Sequence, residues 1–309
     1  MQIAKRVVLF IVVNFLVLIT VSLAIHIFGL DRYLYATGMN YQGFLIIAVL
    51  WGFGGSFISL LISKPMAKWS MGVKTVDPQT HDPNERWLLE TVYSLARRAG
   101  IEGMPEVGVF PSPEVNAFAT GATKNGALVA VSAGLLNSMD KNQVEAVLGH
   151  EITHVSNGDM VTMTLIQGVI NVFVIFLSYV LSIFLTQGSK NERGGGGLQF
   201  LIRIILQIVL SILGSIVVAA FSRWREFRAD EGGANLAGRQ KMISALEALK
   251  EIQERRLAPE PSGSGALATL KINGHRGGLL NLFASHPPLE DRIERLRGLS
   301  EARPSSLIR

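Results

Sequence analysis

The chain has 309 residues, with 29 Lys and Arg against 24 Asp and Glu, a formal net charge of +5, and 49% hydrophobic but only 17% charged residues. It contains no cysteine, which excludes a disulfide scaffold and any thiolate metal site, so a metal must be held by His, Asp or Glu. The basic excess is modest and no polybasic run is interleaved with aromatics, which argues against nucleic acid as a partner.

The apolar residues come in blocks. Residues 7–30 and 43–63 contain no Asp, Glu, Lys or Arg, and each exceeds the roughly 20 residues that a spanning helix needs. The first follows Lys5 and Arg6. It is too long for a signal-peptide core and is closely followed by a second block, so it reads as a retained anchor. A third block, 160–185, is free of charge, and a fourth, 198–221, carries only Arg203 near its start. Four spans are therefore expected. The rival reading makes the last two blocks core helices of a soluble domain. Basic residues flank the spans at Lys5 and Arg6, at Lys64, Lys68 and Lys74, and at Arg223, Arg225 and Arg228, whereas the first connection holds only Asp31 and Arg32. That asymmetry directs both termini and the 64–159 segment to the cytoplasm.

Between the second and third blocks the pattern is that of a globular segment. "NERWLLETVYSLARRAGI" places Trp87, Leu88, Val92, Leu95 and Ala96 on one helical face and stops at Gly100. "MPEVGVF", "EVNAFAT" and "GALVAVSAG" are short β-prone runs that predict a small antiparallel sheet. Asp140 with Gln143 three residues later forms a capping box for a helix that stops near Gly158. After the fourth block, "SRWREFRADEGGANLAG" and "KMISALEALKEIQERR" read as two further helices. Residues 258–278 read as a long loop, and "SHPPLEDRIERLRGL" starts a last helix after its prolines.

The chemistry concentrates in "LGHEITHVSNGDM". His150 and His154 stand at i and i+4, on one helical face, with Glu151 beside them. This HExxH arrangement supplies two metal ligands and a general base. On its own it is also compatible with two unpaired histidines on a surface helix. A catalytic site needs a third ligand. His26 lies inside the first block, His81 and His275 lie in loops, and His286 opens "SHPP". A carboxylate is the other source: Glu226 has Asp230 at i+4, so one can bind metal while the other orients a histidine. The competing reading pairs these acids with Arg223, Arg225 or Arg228 in ordinary helix salt bridges.

"HEITHVSNGDM", an apolar hairpin, "SRWREFRADEGGA", "NAFATG" and "SHPPLEDRI" together resemble the HtpX-type membrane-integral zinc metalloproteases, bacterial relatives of the CAAX prenyl endopeptidases. The resemblance covers nearly the whole chain. It implies a membrane α-helical protein with an α+β, gluzincin-like cytoplasmic catalytic domain and one Zn2+ per chain. The expected ligands are His150, His154 and Glu226, with Glu151 as base and Asp230 behind the ligands. It also implies a multi-pass protein of the bacterial inner membrane that turns over misfolded or damaged membrane proteins. The expected division is a transmembrane hairpin over 1–63, a first catalytic half over 64–159, a second hairpin over 160–221 and a second catalytic half over 222–309. The hairpin is thus an insertion between two halves of one site. The expected partners are membrane-protein or unfolded polypeptide substrates and the lipid bilayer, and nothing in the sequence sets an oligomeric state.

Asn116, in "NAFATG", is a candidate to hold an extended substrate at a strand edge, with a turn asparagine as the plain alternative. The resemblance puts His286 near the active site, where it would stabilise an oxyanion. Arg292 would do the same or anchor its helix. Prenyl-peptide processing shares the same catalytic signature. A multi-span scaffold or metal transporter predicts several ionisable residues within the spans, where only His26 and Arg203 are found.

Overall fold

The structure, a computed structural model, describes residues 41–186, 195–257 and 284–298. The expected first span over 7–30 with His26, and the 258–278 loop with His275, lie outside the described residues. The described chain is mostly helical and forms two compact units: one takes the chain up to Leu60 and Val161–Val218, the other Leu61–Met160 and the chain from Ala219.

Among the described residues, three helices are long and apolar enough to cross a membrane: α1 (Tyr41–Met71) and, further along the chain, α5 (Asp159–Thr186) and α6 (Gly195–Ala237). They contain the second, third and fourth expected spans. Within the first unit, α1 and α5 approach closely at two glycines. A Cβ on Gly52 would lie 2.8 Å from the Val172 amide nitrogen, and one on Gly168 would lie 2.4 Å from the Phe53 ring. Small residues let apolar helices pack backbone to backbone. Asn171 adds a polar fastener, donating to Ser56 Oγ at 3.3 Å, and Ser56 Oγ donates to the Gly52 carbonyl at 3.0 Å.

The second unit is built on a four-stranded sheet of order β1-β2-β4-β3, formed by β1 (Lys74–Thr75), β2 (Glu106–Phe110), β3 (Ala117–Thr120) and β4 (Leu128–Ser132). The sheet is mixed, not antiparallel as expected. β2 pairs parallel with β4, while β1–β2 and β3–β4 are antiparallel. The reason lies in β4. Its residues "LVAVS" are buried throughout, so the strand belongs at the centre, covered on both faces. The β3–β4 hairpin therefore docks through β4 onto β2 and leaves β3 at the edge.

Val129 and Val131 face a core shared with helices on one side. Leu88, Val92 and Leu95 come from α2 (Pro83–Arg98), Leu148 and Ile152 from α4 (Lys141–Asn157), and Met242 and Leu246 from α7 (Arg239–Leu257). Ile293 and Leu296 of α8 (Leu289–Gly298) close the same core. Leu128 and Ala130 pack on the opposite face with Phe110 and Phe118. A short helix, α3 (Ala133–Ser138), joins β4 to the start of α4.

The local signals around α4 act as the sequence predicts. Asp140 accepts from the Gln143 amide, and the Gln143 side chain accepts from the Asp140 amide, completing the capping box. Gly158 ends the helix in the left-handed region at φ 71°, where glycine carries no Cβ penalty. α6 departs from expectation. The fourth apolar block and "SRWREFRADEGGANLA" form one 43-residue helix, not two. No Pro or Gly interrupts residues 215–231, and the helix stops only at Gly238, at φ 111°.

Candidate metal centre

All the described candidate residues lie in the second unit. His150 and His154 project from α4, and Glu226 projects from α6. The two Nε2 atoms are 3.1 Å apart. His150 Nε2 lies 3.4 Å from one Glu226 oxygen, and His154 Nε2 lies 3.3 Å from the other. One ligand atom from each residue falls within 4.8 Å of the others. Two imidazole nitrogens and a carboxylate converging in this way form a donor set that suits a divalent, borderline-soft cation.

Each imidazole is held from behind by a carboxylate. Asp230, one turn beyond Glu226 on α6, lies 2.9 Å from His150 Nδ1. Asp159 lies 2.7 Å from His154 Nδ1. Engaging Nδ1 leaves Nε2 as the lone-pair nitrogen directed at the common point. Asp159 is absent from the sequence-based site. It sits five residues past His154, and the left-handed turn at Gly158 carries the chain back towards the ring. Arg225 steadies that turn by donating to the Asp159 carbonyl at 3.0 Å.

Two adjacent glycines, also missed in the sequence, let α6 reach α4. A Cβ on Gly233 would lie 2.9 Å from the His150 backbone nitrogen, and a Cβ on Gly232 would lie 2.2 Å from Thr153 Cγ2. The "GG" inside "ADEGGANLA", a glycine pair within a helical pattern, was the available signal.

Glu226 and Asp230 are almost fully buried, at 2% and 1% exposure. Their charges are met on the spot. Arg292 of α8 donates to both Asp230 oxygens, at 2.7 Å and 2.6 Å, and stands 3.9 Å from Glu226. Its contact is made to the carboxylate behind His150. His286 Nδ1 lies 2.7 Å from Glu226 Oε2, on a side chain that is 65% exposed. Arg223 donates to the Ala284 carbonyl and Arg225 to the Asp159 carbonyl. Among the described residues neither pairs with Glu226 or Asp230.

Glu151 is half-buried, and its carboxylate makes no hydrogen bond or ion pair among the described residues. Burial raises its pKa, and the nearby His150 and His154 charges only partly offset this. Burial works against the charged form of His154, but the carboxylates of Asp159 and Glu226 more than compensate and raise its pKa to about 9. His150 is raised too: burial lowers it, and Asp230 and Glu226 outweigh that. The centre therefore gathers carboxylate charge around two imidazoles, which is the electrostatic state that a bound cation would satisfy. Asn116 is exposed and immediately precedes the edge strand β3; its backbone exchanges hydrogen bonds with Ser132. His81 is exposed in the loop before α2.

An HExxH helix crossed by a glutamate-bearing helix, with a carboxylate behind each histidine, defines the single-metal hydrolase class of site. Residues 82–300 match the model of Peptidase family M48, and the chain belongs to that family. It is 52% identical over 296 residues to a protein named Protease HtpX homolog from Thiobacillus denitrificans, covering 96% of this chain and 99% of that one. It is also 52% identical over 299 residues to Protease HtpX of Thioalkalivibrio sulfidiphilus, covering 96% and 99%. Among solved structures it resembles that of S. mikatae Ste24p, with a TM-score of 0.58 and 21% identity. That match covers 90% of this chain and 64% of the other, and it speaks to the fold.

Proposed function

We propose that the protein is a membrane-bound zinc endopeptidase that binds one Zn2+ through His150, His154 and Glu226. The observation that carries this reading is the convergence of three donor side chains, with Nε2 atoms 3.1 Å apart and a buried glutamate spanning both. Bound zinc supplies Lewis acidity, acidifying water and polarising a carbonyl. The chain's own groups do the remaining work. Glu151, unpartnered and raised in pKa, takes a proton from the attacking water at its carboxylate and returns it to the leaving amine. Asp230 and Asp159 hold the two imidazoles in register. His286, already against Glu226, has its other ring nitrogen available to steady a developing oxyanion. Asn116, beside the edge strand β3, is placed to meet the backbone of an extended substrate.

The substrates are misfolded or damaged membrane proteins and unfolded polypeptides, and the setting is a bacterial inner membrane crossed four times, with both termini and the catalytic domain cytoplasmic. Apolar helices, a family of peptidases and relatives named as proteases support this reading. The test is metal analysis of the purified full chain together with cleavage of an unfolded protein substrate. Glu151→Gln is expected to keep one zinc per chain and to lose activity by about 10²–10⁴-fold. Glu226→Ala is expected to lose the zinc. A fully active Glu151→Gln enzyme would sink the mechanism, and unchanged metal content in Glu226→Ala would remove that residue from the ligand set.

A further inference from the structure

Two helices carry, on their stretches within the second unit, an exposed tryptophan at the end of an apolar stripe. On α1, Ile62, Met66 and Trp69 stand at i, i+4 and i+7, all exposed, Trp69 by 80%. On α6, Phe221 and Trp224 stand at i and i+3, both exposed, Trp224 by 55%. Arg228 follows at i+7, with its guanidinium 5.0 Å from the centre of the Trp224 ring. Glu226 and Asp230 alternate with this pair on the buried side of the same helix.

The neighbouring cations are committed elsewhere. Lys64 and Lys68 both pair with Glu106, at 2.9 Å and 2.5 Å. Arg223 donates to the Ala284 carbonyl and Arg225 to the Asp159 carbonyl. Arg228 is exposed and makes no ion pair or hydrogen bond among the described residues; its contact is the indole. Among the described residues it is therefore an unneutralised guanidinium beside an aromatic ring, on the same helix as a long apolar stretch.

That continuity decides what covers the face. Tryptophan favours the level of lipid headgroups, where its ring is half in apolar surroundings and its N–H is wet. A guanidinium offers parallel N–H donors that match a phosphate oxygen pair. We propose that Trp224 and Arg228 form a binding site for the headgroup of an anionic phospholipid, with Trp69 a second interfacial anchor at the end of α1. Five of the basic residues that the sequence pattern assigns to the membrane flank thus divide into two groups. Lys64, Lys68, Arg223 and Arg225 fasten the protein to itself, and Arg228 meets the lipid.

The test uses the full chain with Trp51, Trp69 and Trp87 replaced by Phe, so that Trp224 is the sole fluorophore, reconstituted in phosphatidylcholine bilayers. Brominated phosphatidylglycerol and brominated phosphatidylcholine are compared as quenchers at equal mole fraction. Trp224 is expected to be quenched by both and to prefer phosphatidylglycerol by about fivefold, the weight of one arginine near an anionic surface. Arg228→Gln is expected to bring that preference to unity, and Arg228→Lys to keep it above unity. Absence of quenching, equal quenching by the two lipids, or a preference that survives Arg228→Gln would each overturn the proposal. The readout involves no peptide cleavage, so its outcome is independent of the peptidase reading.

Discussion

Asp159 Oδ2 lies 2.7 Å from His154 Nδ1, across the left-handed turn that ends the HExxH helix. The pair mirrors the contact of Asp230 with His150, so the two expected ligands are oriented by acids from two different helices. Asp159→Ala is expected to weaken zinc binding by about 10–100-fold, the usual cost of losing the group behind a ligating histidine. Competition with a chromophoric chelator measures it. Affinity unchanged within twofold would show that Asp159 is dispensable for orienting the ring.

The metal-free centre should compete for protons. His154 has its pKa raised from 6.5 to about 9, so at neutral pH the empty site holds a proton that a cation must displace. Zinc uptake is expected to release protons, and apparent affinity to fall by about tenfold per pH unit for each proton displaced as pH decreases below 9. Calorimetry in buffers of different ionisation enthalpy counts those protons.

The same shift fixes the pH dependence of the metal-free fold. Because the folded-state pKa is the higher one, the His154 contribution to stability is fully present below about pH 6.5 and is lost as pH rises through about 9. Chelator-treated protein should therefore melt at progressively lower temperature across that window, and zinc-loaded protein should not follow the same trend. Thermal unfolding in parallel pH series distinguishes the two.

The α4–α6 seam tolerates no added atom. Gly233→Ala sets a Cβ 2.9 Å from the His150 backbone nitrogen and 3.2 Å from its Cα. Backbone cannot step aside as a flexible side chain does, so the helices must part. The expected cost is about 1–3 kcal/mol of stability, with loss of bound metal because Glu226 rides on the displaced helix. Denaturant unfolding and metal content should change together.

Arg292 is buried against Asp230 through two hydrogen bonds. Arg292→Met leaves a carboxylate at 1% exposure without its countercharge, an effect expected to cost about 3–5 kcal/mol. Asp230→Asn in the same background removes the orphaned charge and should recover part of the loss. A double variant as unstable as Arg292→Met alone would show that charge compensation is not what Arg292 provides.

The features legible in the sequence were local ones. Asp140, Gln143 and Gly158 act within one helix on their own neighbours, and the i, i+4 histidines need only helical periodicity. The clustering of Glu226 and Asp230 with them was anticipated through resemblance, since spacing alone left ordinary salt bridges open. What escaped depends on meetings between segments distant in the chain or across a turn. The parallel β2–β4 pairing follows from which strand is buried on both faces, and periodicity within each run does not reveal it. The continuity of α6 was hidden by a change of composition at Ser222, where polarity changes but helical geometry does not. Asp159 and the Gly232–Gly233 pair acquire meaning only against α4.

The lock on Asp230 comes from α8, near the end of the chain. During synthesis His150, His154 and Glu226 all leave the ribosome before Arg292 does, so for that interval Asp230 carries its charge without its guanidinium. A nascent chain therefore holds the complete ligand set before its fastening is made, and Asp230 gains its partner only once α8 has emerged. For a peptide-cleaving protein this order of assembly amounts to a built-in delay: the carboxylate behind His150 is fastened only after both ligand-bearing helices have been made.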